Sequence, residues 1–300
     1  MPNLLSMRDL GRAEIDALLA RARQLAVTKA TSSLTGRVVG LLFYADSLRT
    51  RVGFEVAAIR LGGHPFSALG ARHTMVMSQP ESVHDAVRSV ASWCDAICLR
   101  HPDTEAVSEV ARLVECPVIN GGNGGDEHPT QTLIDLMTIQ ELSGGIDGIR
   151  IAVVGDLDGM RVAHSLMIAL GSYRGVHVRC VSPSGLEMPR QYTEQFLTDE
   201  NTVEHVSQIE LADIDVVYVA GLPKHTRVPV SDTTRTAFWI TGDTVRALGP
   251  TVRVLCPLPR IDEIQPEVDA TPNAAYFQQS ALGLPVRMAI LEHVVGVGPG

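Results

Sequence analysis

Lysine is nearly absent from this 300-residue chain: Lys29 and Lys224 stand against 23 arginines. Any anion site must therefore lean on guanidinium groups, which grip phosphate and carboxylate through a planar fork. Positive charge is in deficit overall, with a net charge of −9, which argues against nucleic acid as a partner. No apolar run approaches the roughly 18 residues of a membrane helix. The longest, 38–45, suits a buried strand. The N-terminus MPNLLSMRDLGR has no basic segment followed by an apolar one, so no secretory signal and a cytoplasmic location are expected. Cys94, Cys98, Cys116, Cys180 and Cys256 form no CxxC or CxxH. Zinc and thioredoxin chemistry lack support, and reduced buried thiols are the expectation. A GxGxxG fingerprint is also missing, so a nucleotide reading is weak.

What is present is an alternation. Leu10, Ile15, Leu18, Leu19, Ala22 and Leu25 recur at helical spacing through 7–27, behind a Ser6–Asp9 pair that reads as a helix start. Strands are expected at 37–45, 65–69, 96–100 and 117–120, and helices at 50–61, 82–94, 104–114 and 129–142. The segment 143–148, SGGIDG, interrupts the pattern. Strands are then expected at 149–155, 177–181, 215–220 and 252–256, and helices at 161–171, 189–198, 242–247 and 284–294. Repeated strand–helix units argue for an α/β chain of two domains, each a parallel β-sheet flanked by helices. The expected domains are 1–143, with the C-terminal helix 284–297 packing back on it, and 148–283.

Ligands of open parallel sheets gather beyond the carboxyl ends of the strands. Five polar groups follow expected strands. Asp46-Ser47-Leu48-Arg49-Thr50-Arg51 opens a helix. Its free N–H groups, two hydroxyls and Arg49 make an anion cradle without glycine; a capped helix with solvated arginines fits as well. Arg100-His101-Pro102 places an arginine at a strand end, where a plain surface charge is the alternative. His128-Pro129-Thr130-Gln131 puts a histidine at a helix cap, after Gly121, Gly122 and Gly124. It can polarise a carbonyl or simply cap. Gly155-Asp156-Leu157-Asp158-Gly159-Met160-Arg161 resembles a degenerate dinucleotide turn, and Arg161 opposes the helix dipole, which needs a reason. Cys256-Pro257-Leu258-Pro259-Arg260 is poor in N–H donors and rich in carbonyls suited to an –NH₂ group; a rigid turn is the alternative. Together these groups suit acyl transfer from an anionic donor to an amine. Neither a metal nor a protein nucleophile is required.

Five ordered motifs then carry a resemblance. Ser47-x-Arg49-Thr50-Arg51-x-x-Phe54-Glu55 is followed by Arg100-His101-Pro102 and by His128-Pro129-Thr130-Gln131-Thr132-Leu133-x-Asp135. Next come Gly155-Asp156-Leu157 with Arg161 and His164-Ser165-Leu166, then Pro257-Leu258-Pro259-Arg260-x-Asp262-Glu263-Ile264 ahead of Tyr276-Phe277-Gln278-Gln279. The chain resembles the aspartate/ornithine carbamoyltransferases, nearer the aspartate branch, over almost all its length. The resemblance implies a homotrimer of two-domain subunits with active sites at subunit interfaces, no cofactor and no metal. It is compatible with a regulatory chain. It implies that Ser47, Arg49, Thr50 and the Leu48 N–H hold the phosphate of carbamoyl phosphate. Arg100, His128 and Thr50 would polarise the carbamoyl oxygen. Gln131 and the carbonyls of Pro257 and Leu258 would hold the carbamoyl nitrogen, and Arg161 the carboxylate of the amino acceptor.

The departures fall mostly on the acceptor side. Leu48 stands where the family has Thr. Gln79 falls at the position of a Lys that reaches into the neighbouring subunit, and Met75 at that of a Ser. Gly221-Leu222-Pro223 replaces an Arg-x-Gln pair that grips the acceptor's side-chain carboxylate. Lys224, His225 and Arg227 are the nearby candidates to replace it, and the ornithine branch's Ser-Met-Gly is absent. Losing such a charged partner costs roughly 10²–10³-fold in affinity. The expectation is a carbamoyltransferase acting on an amine other than aspartate, with acceptor contacts from Arg161, Gln79, Gly221, Pro223 and Lys224. The alternatives are an ordinary aspartate carbamoyltransferase of pyrimidine synthesis, and a non-catalytic structural or regulatory paralogue.

Overall fold

Val38–Phe43 is apolar on both faces, which a strand tolerates only inside a covered parallel sheet. In this computed structural model, which describes residues 2–69, 75–76, 79–194, 196–198 and 200–296, that run is the first strand of such a sheet. In chain order the first half holds α1 (Arg12–Thr28), β1 (Val38–Phe43), α2 (Leu48–Arg60), β2 (His64–Leu69) and a short antiparallel pair, β3 (Met75–Val76) with β4 (Gln79–Pro80). Then come α3 (Val83–Ala91), β5 (Ala96–His101), α4 (Ala106–Ala111), β6 (Val118–Asn123) and α5 (Pro129–Ser143). The sheet is parallel, in the order β2-β1-β5-β6.

The second half holds β7 (Arg150–Gly155), α6 (Arg161–Leu170), β8 (His177–Val181), α7 (Arg190–Thr193), β9 (Thr202–Val206) and β10 (Val216–Gly221). It continues with α8 (Asp232–Ala237), α9 (Gly242–Leu248), β11 (Arg253–Leu255) and α10 (Tyr276–Val295). Its parallel sheet runs β11-β10-β7-β8-β9. The chain divides into two units, Met1–Leu133 with Leu282–Gly300, and Ile134–Ala281, so both crossings fall inside helices, α5 and α10. The glycine-rich segment 143–148 lies within the second unit. No described helix is long and apolar enough to cross a membrane.

In each sheet the strand order reverses once. β1 leads to β2 on one side while β5 leads to β6 on the other; β7 leads to β8 and β9 while β10 leads to β11. The loops leaving the two central strands diverge there and open a crevice at the carboxyl ends. These switch points lie between β1 and β5 in the first unit and between β7 and β10 in the second. The register shifts at Leu99/His101 and at Val219/Gly221, at those same ends. Such irregularities re-aim side chains next to binding loops.

Several local expectations are corrected. Ser6 and Asp9 do form a reciprocal capping box, but on a separate 3₁₀ turn, Met7–Asp9. The helix starts only at Arg12, behind Gly11. The helix expected at 189–198 shortens to Arg190–Thr193. β9 was not expected: it is the partly exposed edge of its sheet, and its sequence TVEHV has no buried alternation to read. The closing helix begins at Tyr276, eight residues before the expected 284, and carries Pro285 in its interior.

Candidate active site

In the first unit the Ser47–Arg51 segment turns from β1 into α2. Ser47 is the N-cap in an extended conformation (φ −161°, ψ 110°), yet its side chain makes no capping hydrogen bond. The hydroxyl and the first N–H groups of the helix are thus left for an outside acceptor, and the dipole favours an anion. Leu48 is 69% exposed, so the position that lost a hydroxyl presents only its backbone N–H and an apolar side chain. Thr50 is buried, with Oγ1 3.5 Å from His128 Nε2. On its other side His128 Nδ1 lies 3.3 Å from Thr130 Oγ1. Gln131, in the first turn of α5, donates its N–H to the His128 carbonyl at 3.0 Å and is also largely buried. Arg100, next to last in β5, donates Nη1 to the Gly121 carbonyl at 3.1 Å and leaves a buried Nε without a partner. The structure therefore brings the β1–α2 segment, the β5 end and the start of α5 to one switch point.

Two residues that the sequence reading missed support this group. Arg287, from α10, is 5% exposed, with its guanidinium 5.8 Å from the Phe54 ring centre and against Gly53. A Cβ at position 53 would lie 2.7 Å from Arg287 Nη1, so glycine is what lets this cation approach α2. Burial, with a smaller contribution from the charge of Arg49, lowers its pKa to about 10. Arg100 is lowered mainly by burial as well, and Arg49 acts in the same direction. Neither Arg100 nor Arg287 forms an ion pair among the described residues. Arg49 lies close enough for its charge to act on both, so three guanidinium groups share one region. Glu127 is the second residue. It is 2% exposed, accepts the Met7 N–H at 2.9 Å and Arg8 Nη1 at 2.7 Å, and so pins the turn just before His128. Its signal in the sequence was only adjacency to the His128 motif.

In the second unit Gly155 ends β7 with φ +135°, and a Cβ there would run into the Gly221 carbonyl. The same carbonyl accepts the Asp156 N–H at 2.9 Å. Burial raises the Asp156 pKa, and its carboxylate accepts the Gly159 N–H at 3.0 Å. Met160 caps α6 and Arg161 opens it, half-buried. His164 lies under this turn, with Nε2 2.9 Å from the Leu157 carbonyl and its ring stacked on Tyr192 at 4.1 Å.

Gly221 ends β10, Leu222 is buried, Pro223 is half-buried and Lys224 and His225 are exposed. Arg227 is engaged elsewhere, with Asp158 at 2.6 Å and the Gly185 carbonyl at 3.1 Å. Arg235, buried in α8, donates to the carbonyls of Leu222 and Pro223. Pro257 and Leu258 follow β11. Leu258 has φ +53° and precedes a cis peptide bond to Pro259. Gln279 Oε1 accepts the Cys256 N–H at 2.8 Å while its Nε2 donates to the buried Asp135 at 2.6 Å, which also accepts the Tyr218 hydroxyl at 2.9 Å. The Pro257–Leu258 carbonyls are positioned by that network. The backbone of Gln79 lies in β4, but its side chain falls outside what the structure describes, as do residues 70–74 and 77–78 of the expected partner-reaching loop. Among the described residues no cluster of three His, Cys, Asp or Glu could hold a metal.

Comparison with known proteins meets this geometry. Residues 2–141 match the aspartate/ornithine carbamoyltransferase carbamoyl-P binding domain, and residues 147–294 match the Asp/Orn binding domain. The chain is 38% identical over 296 residues to the aspartate carbamoyltransferase catalytic subunit of Methanococcus maripaludis strain C6, covering 97% of each. It is 39% identical over 301 residues to that of Methanocorpusculum labreanum, covering 98% of each. Among solved structures, the M. jannaschii aspartate transcarbamoylase catalytic subunit superposes with a TM-score of 0.90 at 37% identity, over 99% of this chain and 98% of that one. The Trypanosoma cruzi aspartate transcarbamoylase in complex with carbamoyl phosphate gives 0.91 at 33% identity, over 97% and 94%. With both domains matched and relatives aligned end to end, the chain belongs to the aspartate/ornithine carbamoyltransferase family and is a carbamoyltransferase.

Proposed function

We propose that the protein transfers the carbamoyl group of carbamoyl phosphate to the α-amine of an amino acid. Aspartate is the acceptor that the relatives support best, ahead of the different amine expected from the acceptor-side substitutions. The observation that carries the reading is the arginine cluster at the first switch point: Arg100 and Arg287, largely buried and in no ion pair among the described residues, with the charge of Arg49 acting on both, beside an N-cap whose side chain makes no capping hydrogen bond. A phosphate dianion is the ligand this arrangement suits. Ser47, the Leu48 N–H, Arg49 and Thr50 hold the phosphate. Arg100, His128 and Thr50 face the carbamoyl oxygen, where negative charge develops as the amine attacks. Gln131 and the carbonyls of Pro257 and Leu258 fix the carbamoyl –NH₂, and Arg161 takes the acceptor's α-carboxylate. The new C–N bond forms as the C–O bond to phosphate breaks; the departing phosphate receives the amine proton. Donors aimed at such an oxyanion are each worth roughly 10²–10³ in kcat. We also read the protein as a homotrimer with sites at subunit interfaces, for which light scattering should return three times the chain mass.

A second reading, an acceptor other than aspartate, is favoured by one observation. Gly221 and Pro223 offer no side-chain group to a second carboxylate, and Arg227 and Arg235 are committed to Asp158 and to backbone carbonyls. Carbon NMR with labelled carbamoyl phosphate separates the two. A ureido carbon appearing with aspartate establishes aspartate transfer; a signal only with other amines establishes the second reading. No signal above the enzyme-free background with any acceptor overturns both.

A further inference from the structure

Cys256 directly follows β11, is 3% exposed, and packs in the core of the second unit with Val219, Val254, Ile264 and Tyr276. Its backbone N–H donates to Gln279 Oε1 at 2.8 Å, and Gln279 is itself tied to the fully buried Asp135. Its Sγ accepts the Leu258 N–H at 3.4 Å. Sulfur is a weak acceptor, yet this bond closes a short loop in which Leu258 stands at φ +53°, a left-handed conformation that side chains other than glycine rarely adopt. Burial pushes the thiol up to about 12. At neutral pH it is therefore an uncharged acceptor and not a nucleophile. The bond has a consequence for the neighbouring carbonyl. The Leu258 N–H and the Pro257 C=O belong to one peptide unit, which is planar and trans, so they point in opposite directions. An N–H turned onto a core thiol turns the Pro257 carbonyl away from the core, and Pro257 itself is only half-buried. A carbonyl fixed in this way rewards a ligand –NH₂ and is left without a donor beside a –CH₃.

We propose that Cys256 is a positioning residue: by holding the Leu258 N–H, its sulfur aims the Pro257 carbonyl and so sets the preference for a carbamoyl –NH₂ over an acyl –CH₃. This rests on the carbamoyl-transfer reading and deepens its donor side. The Gln279 bond fixes where the loop leaves β11, and the sulfur bond fixes how the next peptide is turned.

The test compares Cys256→Val, which keeps a similar apolar volume and offers no acceptor, with Cys256→Ser, which keeps an acceptor on a smaller and more polar side chain. Core filling and peptide positioning rank these two variants in opposite orders. Calorimetry of the full chain with carbamoyl phosphate, acetyl phosphate and inorganic phosphate reads the site without an amine acceptor. The wild type is expected to bind carbamoyl phosphate more tightly than acetyl phosphate. Cys256→Val should weaken carbamoyl phosphate about tenfold and leave the other two ligands within about twofold, so that the preference disappears. Cys256→Ser should hold the wild-type preference to within about threefold. A valine variant with the wild-type preference overturns the positioning role. So does one in which all three ligands weaken together, or a serine variant that loses the preference as fully as valine. Cys256→Ala, which also lacks an acceptor, replaces the valine variant if that one fails to fold. Carbon NMR of ureido formation by the wild type checks the transfer reading separately. A wild type that forms product while its variants keep the preference loses only the positioning role. A wild type that neither forms product nor prefers carbamoyl phosphate to phosphate overturns both.

Discussion

Arg287 is a guanidinium buried with no carboxylate beside it, and that is an expensive place for a charge. Its depressed pKa is the thermodynamic trace of that cost. The cost has an outlet if a dianion binds nearby, since charges a few ångströms apart at a protein effective dielectric interact by several kcal/mol. Arg287→Met should therefore keep the fold, because a long apolar side chain fills the space over Phe54. It should also weaken inorganic phosphate and carbamoyl phosphate about tenfold, with Arg287→Lys recovering part of the loss. Isothermal calorimetry with phosphate measures this; equal affinity in all three proteins would remove Arg287 from the donor site. His128 and Arg49 belong to the same scale. His128→Ala and Arg49→Ala should each lower kcat by roughly 10²–10³-fold with an unchanged melting temperature. A His128→Ala enzyme that keeps most of its turnover would end the polarising role. At this scale the sequence was legible where chemistry and position coincide. Arg49, Thr50, Arg100 and His128 follow strands and stand out. Arg287 sits among apolar neighbours, and only its partners give it meaning.

At the scale of elements, the N-terminal 3₁₀ turn is a clamp rather than a helix start. Its Ser6, Met7 and Arg8 all bond Glu127, which precedes the His128 cap. Leu4 pairs beside β6, through Leu4 N–H to the Val118 carbonyl at 3.0 Å and Asn120 N–H to the Leu4 carbonyl at 2.8 Å. The first residues thus order the loop that delivers the histidine. Glu127→Ala strands the Met7 N–H and frees the turn, so it should cost about 2–3 kcal/mol of stability and lower kcat more than it raises the KM for carbamoyl phosphate. Denaturant melts and steady-state kinetics check both. Unchanged kcat would mean that the clamp only stabilises. The periodicity of α1 and the strand runs were readable because neighbours in sequence carry that signal. The 3₁₀ turn and the exposed β9 edge were not, since one is stabilised by a residue far along the chain and the other by pairing with β8.

Over the whole molecule, acid stability carries the mark of specific ion pairs. Asp269 accepts hydrogen bonds from Arg260 and from the Tyr276 hydroxyl. The Arg260 bond holds its carboxyl below the ordinary value despite some burial. A carboxylate depressed in the folded state contributes stability that is complete above its unfolded pKa near 4 and is lost as pH falls through the lower folded value. Asp269→Asn should therefore lower the melting temperature at pH 7, while the difference from wild type shrinks below about pH 4. A constant offset from pH 7 to pH 3 would refute the linkage. The pair joins the loop after β11 to the 3₁₀ turn Pro266–Ala270 and the start of α10, so the effect reports on the second unit.

By itself the sequence determined the architecture and the type of chemistry. Apolar runs buried on both faces can only be parallel strands under helices. Polar groups placed right after those runs must reach the carboxyl edge of a sheet, and a cation-rich, lysine-poor set there calls for an anion held by arginine. Only the tertiary structure decided which of those groups meet. Strand order sets the two switch points, and strand order is not written in local spacing. Arg287 joins the donor group because the end of α10 belongs to the first unit. Such contacts link residues far apart in the chain, so they depend on how elements pack rather than on how any one of them forms.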